Sequence, residues 1–170
     1  TLARRNLVTV ADLDRAAQYN PSSISKNGYA YAIAAIPDAD HKAAAYKRIM
    51  EDSSLSNDAL TSTANGFLRG DVELRTPYYK PFFDSLLSMW DTRSIGMATR
   101  IVRGLYPRSL YNYGSAEGTR VSDNPSVALA QEWLHKNPSA PSALRRLILE
   151  AQDNAHRNMI GQQFNSSLSD

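Results

Sequence analysis

Caps and stops recur along this chain so often that only a series of short helices can satisfy them. Thr9 and Asp12 have the spacing of a reciprocal cap ahead of a segment that ends near Tyr19. Asn20-Pro21 is a break, and Ser22 or Ser23 can open a helix running to about Ala35. Pro37 ends it, because proline disfavours helical geometry in the residue before it. Asp38 can cap the next helix, in which Ala44, Ala45, Ile49 and the stem of Lys47 recur at near-helical spacing toward Met50. Ser56 opens another through Leu60, Ala64 and Phe67, with Gly70 beyond its end.

The second half repeats the pattern. Tyr78, Tyr79, Phe82, Phe83, Leu86, Leu87, Met89 and Trp90 are separated mainly by three, four and seven residues, which argues helix over strand. Pro77 suits a helix start, whereas Pro81 lies inside the pattern and is expected to kink it. A helix from about Ser94 carries Ile95, Ala98, Ile101, Val102 and Leu105 and stops at Pro107. Residues 108–123 lack periodicity and read as the longest loop. Asn124-Pro125 opens a helix burying Val127, Leu129 or Ala130, and Trp133-Leu134, which ends at Asn137-Pro138. The last helix starts between Ser139 and Pro141, aligns Leu144, Leu147, Ile148, Ala151, Ala155 and Met159, and frays from Ser166. The fold class is therefore all-α, with about eight helices. Short links make consecutive helices antiparallel neighbours, so residues 1–170 are expected to form one helical domain. A HEAT-like superhelical stack of helix pairs is favoured over a single compact bundle.

Charge and composition exclude several function classes. With 19 basic and 17 acidic residues the net charge is +2, and no basic stripe suggests a nucleic-acid partner. No apolar run approaches the ~20 residues that span a bilayer. The absence of cysteine rules out thiolate metal sites and fits a reducing cytoplasm, the expected location. The chain opens Thr1-Leu2-Ala3-Arg4-Arg5 without a methionine, which permits either processing or excision from a longer chain.

Few residues offer chemistry. A helical zinc peptidase site needs two histidines four apart with a glutamate between them, so that both rings face one metal. Four residues after His41, His135 and His156 stand Ala45, Ser139 and Ile160, so no metal, cofactor-binding or catalytic residue is expected. Arg146 and Glu150 have the spacing of a solvated helical ion pair. Arg93, Arg100 and Arg103 differ: on a helix, Arg100 would lie within ~20° of Arg93, and Arg103 within ~80° of it. Three guanidinium forks on one flank could hold a carboxylate, against the plainer reading of solvation or bonding to neighbouring carbonyls.

Two blocks carry a family resemblance. Tyr79-Lys80-Pro81-Phe82-Phe83-Asp84-Ser85-Leu86, continuing through Trp90-Asp91-Thr92-Arg93-Ser94-Ile95 and Arg103-Gly104-Leu105-Tyr106-Pro107, resembles bacterial aminopeptidase N. Ala140-Pro141-Ser142-Ala143-Leu144-Arg145-Arg146-Leu147, with Glu150, Asp153 and Arg157, is similar to the closing helix of the same enzymes. A weaker match covers Ala30 to Phe67 and includes Pro37, Lys42, Glu51-Asp52 and Leu55-Ser56-Asn57. The resemblance implies the HEAT-like carboxy-terminal domain found also in the endoplasmic reticulum aminopeptidases, which covers the active-site cavity and limits peptide entry. It implies a zinc-bearing catalytic domain elsewhere in the same chain, with peptides as substrates. The zinc motif and the G-x-M-E-N strand of those enzymes are absent here, so the fragment alone is expected to be inactive. Arg93, Arg100 and Arg103 become candidate contacts for a peptide carboxylate. The alternative is a free-standing helical scaffold that binds a protein partner.

Overall fold

Each cap described above closes in three dimensions. The computed structural model describes residues 2–5, 7–19, 21–108 and 120–167. Thr9 and Asp12 bond reciprocally at the start of α1 (Val10–Tyr19). Ser22 accepts from Ser25 N at the start of α2 (Ser23–Ala34), and Asp38 from Asp40 N and His41 N at α3 (Ala39–Glu51). Ser56 accepts from Ala59 N at α4 (Asn57–Phe67). Asn124 accepts from Ser126 N at α8 (Pro125–Lys136), where Pro125 takes the first helical position. These bonds satisfy amide groups that a helix start otherwise leaves unpaired. Gly70 adopts φ 85° after α4, a backbone that other residues rarely take.

The aromatic segment departs from expectation. It forms a 3-10 turn (Thr76–Tyr78), α5 (Tyr79–Asp84) and α6 (Leu86–Thr92), and the break falls at Ser85 rather than at Pro81. Pro81 is the third residue of α5, within the first turn, where a missing N–H costs no helical bond. Ser85 Oγ instead donates to Pro81 O at 2.8 Å, while Ser85 N is shared between Pro81 O and Phe82 O. That back-bonding competes with the helical ladder. The helices α7 (Ile95–Leu105) and α9 (Ser142–Ser167) follow most of their expected apolar faces: Ala98, Ile101, Val102 and Leu105 are buried in one, where Ile95 is instead 72% exposed, and Leu144, Ile148, Ala155 and Met159 in the other, where Leu147 and Ala151 are half-buried. Most of the expected loop, residues 109–119, lies outside the described residues, and its end forms the 3-10 turn Val121–Asp123. No strand occurs among the described residues, so the fold is all-α.

The helices form two compact units. One comprises Thr1–Tyr78 and Thr92–Leu105; the other, Tyr79–Asp91 and Tyr106–Asp170. In the first, α2 packs on α1, α3 and α4, and α4 packs on α7. Glycine makes two of these approaches close: a Cβ on Gly66 would meet Tyr31 O at 2.3 Å, and one on Gly104 would meet Ala64 Cβ at 2.7 Å. Phe67, Tyr46 and Tyr78 stack there, with Tyr46 and Tyr78 centroids 4.7 Å apart. In the second unit, α5 and α9 both pack on α8. Phe82, Phe83 and Tyr106 form an edge-to-face chain, and Tyr106 Oη donates to Ser126 O at 2.8 Å. The buried tryptophan is Trp133 at 6% exposure, whereas Trp90 on the expected core stripe is half-buried.

Candidate functional site

The three arginines do not share a helix. Arg93 lies in the bend between α6 and α7, so the angular spacing expected of one helix holds only for Arg100 and Arg103. Half-buried Arg93 donates from Nη2 to Met50 O at 2.7 Å, 43 residues away. Met50 O belongs to the last turn of α3, where carbonyls lack helical partners and the helix dipole favours a cation. Arg100 is exposed and folds back onto Gly96 O at 3.0 Å. Arg103 stands exposed in the last turn of α7. Arg93 and Arg100 thus bond neighbouring carbonyls, while Arg100 and Arg103 present a cationic surface.

The same logic recurs at two positions. Arg145 Nη1 donates to Leu134 O at 2.8 Å and Asn137 O at 2.5 Å, closing the end of α8. Lys42 is fully buried, and its Nζ donates to Ala34 O at 2.6 Å and Gly66 O at 3.4 Å. Those carbonyls end α2 and α4, so one ammonium joins the negative ends of two helices. The Phe67 ring lies 5.9 Å from the ammonium. Burial pushes the Lys42 pKa down to about 8, with the charge of Arg75 adding to the shift. The expected inner face of α3 is corrected here: Lys42, Ala45 and Ile49 are buried, while Ala44 and Lys47 are exposed. Spacing of three and four from Lys42 to Ala45 to Ile49 was the available signal, but a lysine reads as solvent-facing.

The histidines remain apart. His41 Nδ1 pairs with Asp38 Oδ1 at 2.9 Å, which helps hold the Asp38 carboxyl below its usual range, while His135 and His156 are exposed. Among the described residues, no group of three or more His, Cys, Asp or Glu side chains could hold a metal. Arg146 and Glu150 form the expected exposed ion pair at 2.8 Å.

A cleft of about 250 Å³ lies between α5 and α8, floored by Phe83, Leu87, Leu129 and Trp133. Its rim carries the pairs Lys80–Asp84, at 2.7 Å, and Lys136–Glu132. The Lys136 bond and charge hold the Glu132 carboxyl below its ordinary range, with Lys80 helping and Asp84 opposing. All four charges are paired, so the cleft offers an apolar floor with a balanced rim.

The comparisons agree with this architecture. Residues 1–157 match the family described as the ERAP1-like C-terminal domain. The chain is 29% identical over 143 residues to aminopeptidase N of Streptomyces lividans, a match covering 83% of this chain and 15% of that protein. Among the described residues, no helix is long and apolar enough to cross a membrane. The family match extends over nearly every helix described above, and the chain accordingly belongs to the ERAP1-like C-terminal domain family, as the helical carboxy-terminal domain of an aminopeptidase N.

Proposed function

We propose that this chain is the non-catalytic domain of a zinc aminopeptidase, covering the active-site cavity and influencing which peptides reach it. The zinc and the hydrolysis of the amino-terminal peptide bond reside in a catalytic domain of the same polypeptide. The observation that carries the reading is the family match over residues 1–157, in a chain that spans only 15% of its aminopeptidase relative. All 170 residues serve as one domain in this reading, arranged as a HEAT-like stack and working in the cytoplasm.

Within it, Arg100 and Arg103 meet the far carboxylate of a bound peptide, and Arg93 is the third candidate although its guanidinium also holds Met50 O. A carboxylate is costly to desolvate unpaired, and a guanidinium offers it two charge-assisted bonds. In the full-length enzyme, Arg100→Ala and Arg103→Ala are expected to raise KM for free-acid peptides about tenfold, the loss of one charged hydrogen-bonding partner. Single-residue chromogenic amides and carboxyamidated peptides stay near the parent values. Arg93→Ala also removes the bond to Met50 O, so it lowers stability as well. Equal treatment of free-acid and carboxyamidated peptides by all three variants would leave the arginines with structural or solvated roles only.

A further inference from the structure

The chain contains two Asn-Gly pairs, Asn27-Gly28 and Asn65-Gly66, and the fold treats them differently. In such a pair the glycine nitrogen meets little steric hindrance when it turns toward the asparagine side chain, and its backbone is free to follow. Helical geometry opposes that approach, because it points each glycine N–H at the carbonyl four residues earlier. Both pairs lie in helices, the first in α2 and the second in α4. Reaction therefore waits on local opening, and the packing around each pair sets how often opening happens.

Asn65-Gly66 is locked. Gly66 is buried with Ala64 and Phe67 in the last turn of α4. Helix α2 presses so close that a Cβ on Gly66 would stand 2.3 Å from Tyr31 O. Opening there must part α2 from α4 and expose Phe67. Asn27-Gly28 has no such restraint. The buried residues of α2 are Ala30 and Ala34, both beyond the pair. Gly28 is exposed, and a Cβ on it would meet nothing within 4 Å. Glycine inside a helix also costs about 1 kcal/mol relative to alanine, which weakens α2 where it begins. Unwinding α2 from Ser23 to Gly28 gives up the Ser22 cap and exposes no buried side chain.

We propose that Asn27 is a self-modification site, deamidating through attack of the Gly28 nitrogen on the side-chain carbonyl carbon of Asn27, while Asn65 is protected. The bond from that nitrogen to Cγ forms, the Cγ–Nδ2 bond breaks, and ammonia leaves carrying the proton of the Gly28 amide. Water then opens the succinimide at either carbonyl, giving aspartate or isoaspartate at this position. Each product adds a negative charge, and isoaspartate also inserts a backbone carbon that breaks the hydrogen-bond ladder of α2. The start of α2, on which α1 packs, is thereby marked by the age of the molecule.

The test incubates the full-length polypeptide in mildly alkaline buffer, with and without urea, and follows both Asn-Gly peptides by mass spectrometry. In native buffer Asn27 is expected to convert at least about tenfold faster than Asn65, because each rate follows the population of its open form. In urea the two are expected to convert at similar rates. Gly28→Ala, which the open space accepts, should slow conversion at Asn27 in both buffers. An Asn27 that converts no faster than Asn65 in native buffer, or at a rate unchanged by Gly28→Ala, would overturn the proposal. A ratio in urea as large as the native one would assign the difference to local sequence and overturn it as well.

Discussion

Replacing Gly66 with alanine is expected to destabilise the chain by about 3 kcal/mol, near the upper end of what a single added carbon does in a packed interior. The new Cβ would stand 2.3 Å from Tyr31 O, 2.9 Å from Ala34 Cβ and 3.0 Å from the Tyr31 carbonyl carbon. None of these is the end of a flexible side chain, so α2 itself must retreat from α4. Alanine gains about 1 kcal/mol over glycine in helix propensity, which offsets only part of the clash. For a domain of this size the loss corresponds to a fall in Tm of roughly 6–12 °C. Gly28 and Gly161 are helical glycines with nothing within 4 Å of a built Cβ, so alanine there should leave Tm unchanged or raise it. A Gly66→Ala protein melting with the parent would mean that α2 and α4 do not approach this closely.

Lys42 supplies the second large effect. Truncation to alanine removes a fully buried stem and leaves Ala34 O and Gly66 O without their ammonium, at an expected cost of about 3–4 kcal/mol. Its charge also produces a pH signature. The folded chain releases the Lys42 proton near a pKa of about 8, whereas an unfolded lysine holds it to about 10.5. Between those values the unfolded state binds more protons, so stability rises with pH, by no more than about 3 kcal/mol because the two carbonyls favour the ammonium. Above about pH 10 the buried Tyr106 opposes the rise, since burial raises its pKa and unfolding frees it to ionise. Urea titrations from pH 7.5 to 9.5 should therefore show a rising midpoint for the parent and a flat one for Lys42→Met. Parallel profiles would place the ammonium elsewhere.

The local half of this fold is legible in the sequence. Thr9 with Asp12, Ser22, Asp38, Ser56 and Asn124-Pro125 each act within three residues of themselves, and each opens its helix as expected. What resisted reading depends on partners far along the chain. Helical spacing equates Trp90 with Trp133, and only packing on other helices buries the second more deeply. Pattern alone gives Lys47 a better claim to the core than Lys42, whose carbonyl partners lie 8 and 24 residues away. Arg93 looked like a member of a helical flank because nothing local announces its bond to Met50 O. The candidate site was therefore legible as a group of cations, and their division into carbonyl caps and exposed surface was not.

In the proposed function these residues govern peptide access and take no part in the chemistry. The most direct measurement compares the full-length enzyme with one ended just before Thr1, on a single-residue chromogenic amide and on free-acid peptides of increasing length. The truncated enzyme is expected to keep its zinc and its kcat/KM for the small amide, and to lose the parent's dependence on peptide length. Loss of zinc, or a fall by the same factor on the small amide and on every peptide, would contradict the claim.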